Sequence, residues 1–384
     1  MEFRVDRDEL AAAVSWAARA LPSRPAMPVL AGMKLELPGT GTAQLRASAF
    51  DFDLSAQATA TVEAQSGGTV LVPGKLLVDI LRNVPPGPVT ARHESDRVTF
   101  ASGGAQFTML TLPVTDYPSL PELPPATGHV TGGGFATAVG QVRPAASRDD
   151  TLAMLTGVHL SWSGEELSLA ATDRYRLAMR ELTWSPAAPW STGSALVPAR
   201  SLQEAVRSLS SDSSVAVALS GGGGAEDTRS RGSGMIGFAD GGWHTTSRLL
   251  DSEFVSYASR FPTDIAACAE ARTASLAEGV KRVALVADRS TPLRMSFSPE
   301  EVVLEAGSGE DAQAREAVPV TYDGEPMRVA FNPEYVLDGL GAVTTDSVRL
   351  DLTTPTKPAV ISEPPAAGEE RSRFRYLVMP LRVA

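Results

Sequence analysis

Charged residues interrupt an apolar pattern near the middle of the chain, at residues 171–177 (ATDRYRL). Asp173, Arg174 and Arg176 offer a carboxylate and two guanidinium groups, which can form charge-assisted hydrogen bonds with polar or acidic atoms of a ligand. Charges at a turn are also commonly no more than solvated surface. The residues alone leave both interpretations open.

Two strands are expected to position this segment. Apolar residues alternate with polar or small ones through 166–171 before it and through 175–180 after it. A period of two indicates strands, so the pattern predicts a hairpin with its turn at 172–174.

Groups that support catalysis do not occur at useful spacings. Asp51 and Asp53 point to the same side of a predicted strand and could hold a cation, but paired surface acids are common. The glycines at 221–224 lack the lysine and the helix of a phosphate-binding loop. The histidines have no spacing with carboxylates that suggests a metal site; they are His93, His129, His159 and His244. We therefore predict a non-catalytic protein with no catalytic residue, no metal site and no cofactor.

The composition is that of a globular protein with several domains. The 384 residues allow two to four domains, each with its own core. No apolar run is long enough to span a membrane, and the N-terminus lacks a signal-peptide core, so a cytoplasmic location is expected. Cys268 is the single cysteine, which excludes an internal disulfide and a thiolate metal site. The net charge of −11 argues against tight DNA binding by phosphate neutralisation.

Three segments share one order of elements. Each opens with an amphipathic helix, at 10–21, 135–147 and 276–287, and Pro144 is expected to break or kink the second of these. Short alternating strands follow, and then a second helix. Proline announces each second helix, at Pro73, Pro198 and Pro333. These prolines recur about every 130 residues, which is far above the spacing of solenoid repeats and indicates repeated domains.

The joins between the repeats define the predicted domains. A proline-rich segment at 118–125 marks the first join, and residues 251–266 contain the second. We predict an α+β fold of three repeated domains, 1–123, 124–256 and 257–384, each with two helices packed on antiparallel sheets. The glycine-rich segment 220–234 is expected to be a mobile loop, with strand resuming near Met235. Basic residues outnumber acidic ones on the six predicted helices although the chain is acidic; arginine's helix propensity alone could explain this.

Three stretches together resemble the bacterial sliding clamp, the beta subunit of DNA polymerase III: residues 171–177, Leu155-Thr156-Gly157 and the C-terminal YLVMPLR at 376–382. The resemblance runs nearly end to end. It implies the DNA clamp fold and a head-to-tail homodimeric ring of three domains per chain, with the helices lining the hole. A ring held on duplex DNA by topology needs only weak, sequence-independent phosphate contacts, which fits the acidic charge.

The resemblance also implies the function and the partners. The chain would be a processivity factor in DNA replication that tethers polymerases to encircled duplex DNA. Its partners would be the DNA polymerase III alpha subunit, the clamp-loader complex, other polymerases and repair proteins with clamp-binding peptides, and a second copy of the chain. Binding to a membrane is not expected. The alternative is a peptide-binding scaffold of the same fold that does not bind DNA.

Site residues carry over by position from the family. The partner-peptide cleft would use Leu155, Thr172, Arg174, Tyr175, Arg176, Leu177, Val255, Pro358, Val378, Met379, Pro380, Leu381 and Arg382. The DNA-binding residues would be Arg24, Lys75, Arg148, Arg200, Lys281 and Arg282. The dimer interface would use Ile80, Val84, Phe107, Met109, Leu285 and Val286.

The chain departs from the family pattern near one cleft. Val255 replaces the usual proline, Arg260 replaces an apolar residue, and Ala258-Ser259 lacks the usual basic residue. Leu381 replaces a methionine, and Ala384 extends the chain past the usual end. One hypothesis is a divergent, actinobacterial-type second copy of the clamp with other partners or with resistance to a peptide-like inhibitor. Drift at tolerant positions is the alternative.

Overall fold

The computed structural model describes residues 1–189, 191–207, 209–220, 234–287, 291–307 and 312–382. Residues 221–233 of the loop predicted at 220–234, together with Ala384, fall outside these ranges. Within them the α-helices are α1 (Arg7–Ala17), α2 (Gly74–Asn83), α3 (Gly132–Val142), α4 (Ala199–Val206), α5 (Thr273–Val283) and α6 (Pro333–Ala342). No helix in the described ranges is both long enough and apolar enough to cross a membrane.

Strands make up most of the remaining regular structure. Through the first half they are β1 (Glu2–Asp6), β2 (Gly32–Leu37), β3 (Gly41–Phe50), β4 (Leu54–Ser66), β5 (Gly68–Pro73), β6 (Pro88–Glu94), β7 (Arg97–Ser102), β8 (Ala105–Leu110), β9 (Ala126–Thr131), β10 (Gly157–Ser163), β11 (Glu166–Thr172), β12 (Arg176–Thr183) and β13 (Ser185–Pro186). Through the second half they are β14 (Thr192–Pro198), β15 (Ser214–Ser220), β16 (Met235–Asp240), β17 (Trp243–Arg248), β18 (Ala267–Arg272), β19 (Leu293–Phe297), β20 (Glu301–Ala306), β21 (Ala314–Pro319), β22 (Thr321–Asp323), β23 (Met327–Phe331), β24 (Ser347–Leu352), β25 (Ala359–Ser362) and β26 (Phe374–Val378).

The first compact unit comprises the described residues within Met1–Thr131, Pro186–Ala188 and Asp212–Leu249. Its antiparallel sheet has the strand order β9-β15-β16-β17-β4-β1-β6-β7-β8, and from β4 it also continues through β3 and β2 to β5. Helices α1 and α2 contact each other, and α1 packs on β3 and β4. Because β17 pairs with β4, strands from the predicted second domain continue the sheet of the first domain.

The second unit comprises the described residues within Gly132–Ser185, Pro189–Ser211 and Leu250–Ala384. Its larger sheet has the order β14-β10-β11-β12-β26-β25-β24-β18-β22, and β21-β20-β19-β23 form a smaller one. Helix α3 contacts α4 and α6, and α5 contacts α6. Pairing of β12 with β26 joins the predicted second and third domains in one sheet, so strand pairing bridges both predicted joins.

The helix predictions are confirmed in number and order, with shifted ends. The first helix of each repeat begins at Arg7, Gly132 or Thr273, before the first apolar residue of its pattern. Polar residues can start a helix by capping it: the Asp6 carboxylate accepts from the amides of Asp8 and Glu9 at 2.8 and 3.3 Å. The break predicted at Pro144 is confirmed, because α3 ends at Val142 and a 3-10 turn contains the proline.

The predicted hairpin is confirmed as β11 and β12, with its turn at 173–175 instead of 172–174. The alternation in β11 does not separate a buried face from a solvent face, since Ser168 and Ala170 are also buried. Helix α3 contacts β11 and β12. Leu177 and Met179 of β12 pack with Phe261 from the segment that follows β17. Both faces of this part of the sheet are therefore covered.

Candidate partner-binding cleft

The turn between β11 and β12 is held rigidly by its own side chains. The Asp173 carboxylate accepts from the amides of Tyr175 and Arg176, both at 3.0 Å. The Thr172 hydroxyl donates to the Arg176 carbonyl at 2.6 Å. Arg174 has a left-handed backbone with φ of 82°. The turn thereby exposes the side chains of Arg174 and Tyr175.

Arg176, the first residue of β12, is only 7% exposed and is bonded inside the chain. Its Nε donates to Asp173 Oδ2 at 2.9 Å, and its Nη1 donates to Asp338 Oδ2. Nη1 also lies 3.3 Å from the Tyr376 hydroxyl, and Cζ lies 4.4 Å from the Tyr335 ring centroid. The guanidinium thus holds the turn against helix α6, where the sequence had suggested contact with a peptide.

The environment of Arg176 keeps it charged. Burial alone lowers the pKa of a guanidinium, because it penalises the charged form. The hydroxyl of Tyr376 and the carboxylates of Asp338 and Asp173 outweigh burial and raise the pKa of Arg176. The cation therefore persists, and each carboxylate beside it has a fixed partner.

Strand β26 adds the second wall of the site. Val378 pairs with Arg176 on one side and with Ala359 on the other. Beyond the strand, the Met379 amide donates to the Tyr175 carbonyl at 2.9 Å. The Leu381 amide donates to the Ala330 carbonyl at 2.8 Å. These bonds fix the path of residues 379–381 beside the turn and leave Met379 and Leu381 38% and 42% exposed.

An aromatic cluster fixes the segment that carries Val255. The His159 ring stacks on Phe254 with centroids 5.1 Å apart, and Tyr257 packs edge-on against both rings. Burial lowers the pKa of His159 to about 4, so the imidazole is neutral at neutral pH. Val255 lies between the two anchoring aromatics and is 38% exposed.

The residues assigned to the cleft divide into a framework and a surface. The buried framework consists of Leu155, Thr172, Arg176, Leu177 and Val378. The exposed side chains are Arg174, Tyr175, Val255, Met379, Leu381 and Arg382, with Pro358 and Pro380 half-buried. Exposed apolar groups on a rigid backbone can bind the apolar side chains of an extended peptide, and the two exposed arginines can bind its carboxylates.

Sequence reasoning missed Tyr335 of helix α6. Its ring lies 6.4 Å from that of Tyr175, at an interplanar angle of 25°, and the Arg176 guanidinium covers it. Tyr335 and Asp338 are three residues apart and therefore share one face of α6. The spacing of this aromatic residue and this acid, on a helix that begins with Pro333, is the signal in the sequence that could have identified Tyr335. The sequence gives no signal that they contact a hairpin more than 150 residues earlier.

The residues assigned to DNA contact differ in their surroundings. Arg24, Lys75, Arg148 and Arg200 are exposed. In contrast, Lys281 pairs with Glu278 at 2.7 Å, and Arg282 donates two hydrogen bonds to Glu316 at 2.9 and 2.6 Å. The last two cations have carboxylate partners within the chain, which weakens their attraction for phosphate.

The residues assigned to the dimer interface also separate by exposure. Ile80, Val84 and Met109 are at most 6% exposed, which leaves them little surface for a partner chain. Phe107 and Val286 are half-buried. Leu285 is 84% exposed, and Leu110, which was not assigned, is 55% exposed. Leu110 ends β8, a strand at the edge of its sheet.

Comparison with known proteins gives one consistent result. Family models of the DNA polymerase III beta subunit match three consecutive segments: the N-terminal domain at 1–121, the central domain at 129–256 and the C-terminal domain at 258–382. The chain is 47% identical to the beta sliding clamp of Streptomyces coelicolor, over the full length of both. It is 36% identical to the beta sliding clamp homolog GriR of Streptomyces muensis, over 100% of this chain and 99% of the homolog.

Solved structures agree with the sequence matches. A Pseudomonas aeruginosa sliding clamp bound to griselimycin superposes with a TM-score of 0.87 at 25% identity, with both chains fully covered.

Proposed function

The chain belongs to the family of DNA polymerase III beta subunits, the beta sliding clamps. On that premise we propose how its surfaces bind polymerases, DNA and a second copy of the chain. It is a DNA sliding clamp, a processivity factor that encircles duplex DNA and tethers replicative and repair polymerases. Two chains form the ring in this family. We infer that the chain is an accessory subunit without catalysis of its own.

The observation that carries the tethering proposal is the exposed apolar surface built on the rigid turn at 173–175. Met379 and Leu381 follow a strand that pairs directly with β12, and the Met379 amide is bonded to the Tyr175 carbonyl. A pre-organised surface binds a flexible peptide without an ordering cost of its own. An apolar peptide side chain buried here contributes about 1.5–3 kcal/mol, so one or two anchors suffice for a reversible tether.

The charge distribution supports sliding instead of fixed attachment. The chain carries a net charge of −11, and Lys281 and Arg282 are paired with carboxylates. The exposed cations Arg24, Lys75, Arg148 and Arg200 are proposed to make transient phosphate contacts. Because such contacts read no base sequence, the ring can move along the duplex while it stays linked to it.

The ring is proposed to close through apolar side chains near β8 of one chain and the end of α5 of the other. Leu285 is the most exposed of the large apolar side chains in the described residues, and Phe107 and Leu110 lie on an edge strand. A head-to-tail contact uses two different surfaces of each chain. The edge strand β8 and the end of α5 are two such surfaces.

We further propose that the changed rim alters ligand preference. Exposure of Val255, Arg260 and Leu381 supports this proposal, because side chains at the surface can contact a ligand. Griselimycin affinity tests this: Val255→Pro should strengthen binding severalfold over the unaltered chain. Equal affinity would mean that the rim has drifted without effect.

Processivity itself provides the functional test. The chain, its clamp loader, ATP and a cognate polymerase are combined on a singly primed circular template with excess competitor DNA. The length of DNA that the polymerase synthesises per binding event should increase at least about tenfold when the chain is present. Products of unchanged length, with the loader shown to be active, would refute the proposal.

A further inference from the structure

The first unit contains a second copy of the turn that forms the candidate cleft. The Asp51 carboxylate accepts from the amides of Asp53 and Leu54 at 3.1 and 2.7 Å. The Asp173 carboxylate accepts in the same way from the second and third residues after it. Phe52 has a φ of 76°, against 82° for Arg174. The two turns therefore share one backbone conformation.

The strand that flanks the turn is also repeated. Leu54 pairs with Ser247 of β17, as Arg176 pairs with Val378 of β26. The Arg248 amide donates to the Asp53 carbonyl at 2.9 Å, which is the distance from the Met379 amide to the Tyr175 carbonyl. The wall that carries Met379 in the candidate cleft thus has a counterpart at Arg248.

A 3-10 helix supplies the third common part. Pro28–Ala31 in the first unit corresponds to Ala153–Leu155 in the second. The Leu30 amide donates to the Met27 carbonyl at 3.0 Å, and the Leu155 amide to the Leu152 carbonyl at 2.8 Å. Met27 and Leu152 are 41% and 40% exposed, whereas Leu30 and Leu155 are buried.

The exposed side chain at the new turn is one that the backbone disfavours. Left-handed backbone is costly for a bulky residue and suits glycine or asparagine. Phe52 nevertheless occupies it with 37% of its surface exposed. Its ring packs edge-on against Phe50 at 5.6 Å, and Phe50 belongs to a core cluster with Leu30 and Tyr117. Strain that brings an apolar ring to the surface is typical of a functional position.

The charge around Phe52 is opposite to that around the candidate cleft. The residue that matches Phe52 in the second turn is the exposed cation Arg174, whereas Phe52 lies between Asp51 and Asp53. Burial, together with the charge of Asp51, raises the pKa of Tyr117 to about 12, which indicates that the Asp51 carboxylate lies near that ring. Asp116 precedes Tyr117 and adds a third carboxylate, and Arg248, whose amide bonds the Asp53 carbonyl, adds one cation.

We propose that Met27, Asp51, Phe52 and Asp53, the Phe52 patch, form a second docking site for a partner segment. The occupant is a short extended peptide with a large apolar side chain flanked by lysine or arginine. The apolar side chain packs on Phe52 and Met27, and the basic residues meet the two carboxylates. This inference uses the proposed cleft as its template, because the same backbone parts surround both.

Two methionines report on the two sites in one experiment. The intact protein is labelled with carbon-13 at its methionine methyl groups, and the Met27 and Met379 resonances are identified with Met27→Leu and Met379→Leu. The probes are the acetylated hexapeptide Lys-Leu-Phe-Leu-Lys-Lys and its counterpart with glutamate at each lysine position. We expect the basic probe to shift the Met27 resonance saturably, and the acidic probe to bind there at least about fivefold more weakly.

Phe52→Asn is the matched variant, because asparagine tolerates the left-handed backbone and removes only the ring. It should abolish the Met27 shift without changing the response of Met379 to a polymerase tail peptide. No Met27 shift at millimolar probe, equal shifts with both probes, or a shift that survives Phe52→Asn would overturn the inference. So would a Met27 shift that depends on protein concentration alone, since a second copy would then cover the patch. If Met379 ignores the polymerase peptide while Met27 responds as expected, the proposed cleft fails and this inference stands.

Discussion

Arg176 and Asp338 form an ion pair that joins the hairpin turn of the second repeat to the last helix of the third. The two residues are 162 positions apart in the chain. The same guanidinium bonds Asp173 and covers Tyr335, so one side chain links the turn, helix α6 and the aromatic surface of the cleft.

Removing this link should loosen the site and destabilise the fold. Arg176→Ala leaves the Asp173 carboxylate, 12% exposed, without its guanidinium partner. Breaking a buried ion pair in this way costs about 3 kcal/mol. The cost here should be smaller because Asp338 is partly solvated. We therefore expect the free energy of unfolding to fall by about 2 kcal/mol. Urea denaturation measures it. Arg174→Ala, an exposed arginine of the same turn, is the control and should change stability by less than about 0.5 kcal/mol. Equal losses would contradict a bracing role for Arg176.

The sequence predicted the hairpin but not the contacts of Arg176 that hold it. Alternation before and after residues 171–177 indicated two strands, because that signal is local. The partners of Arg176 are Asp338 and Tyr376, which only the paired strands and helix α6 bring within reach. Burial of Ser168 and Ala170 could not be foreseen for the same reason, since the elements that cover them are distant in sequence. Tertiary contacts of this kind leave no trace in a local pattern.

Apolar anchoring can be tested apart from stability. Met379→Asp places a charge on the exposed wall of the cleft and should weaken binding of a polymerase tail peptide at least about tenfold, which corresponds to about 1.4 kcal/mol or more. Calorimetric titration measures the affinity. Ile265→Asp serves as the control, because Ile265 is 39% exposed, close to the 38% of Met379, but is not assigned to the cleft. Unchanged affinity in Met379→Asp would remove this residue from the site.

The proposed seam of the ring predicts a change of assembly. Leu285→Lys places a charge on a side chain that is 84% exposed, so the folded chain should tolerate it. A closed apolar interface between two chains should not tolerate the lysine, because a buried unpaired ammonium is strongly unfavourable. Sedimentation equilibrium should show a shift from dimer towards monomer at micromolar concentration. A dimer of undiminished strength would place the seam elsewhere.

His159 predicts a pH dependence of stability. Burial lowers its pKa to about 4 in the folded chain, below the ordinary value of 6.5. Between these values the unfolded chain binds a proton that the folded chain does not, so stability falls as the pH falls from 6.5 to 4. The contribution is constant above 6.5. The loss is at most about 3 kcal/mol.

A variant with a ring that does not titrate isolates this effect. His159→Phe keeps a ring against Phe254 and removes the titrating group. Thermal or urea unfolding of both proteins should give curves that diverge below pH 6.5. Parallel curves down to pH 4 would show that His159 does not lose a proton on folding. The other histidine with a lowered pKa, His244, is present in both proteins and cancels in the difference.

Retention by topology distinguishes a ring around duplex DNA from a protein that binds phosphates directly. The most direct measurement loads the protein onto nicked circular DNA with a clamp loader and ATP, and compares its retention before and after the circle is cut once. We expect stable retention on the circle and rapid loss from the linear ends. Equal retention on both forms would show ordinary binding to phosphates and would contradict retention by topology.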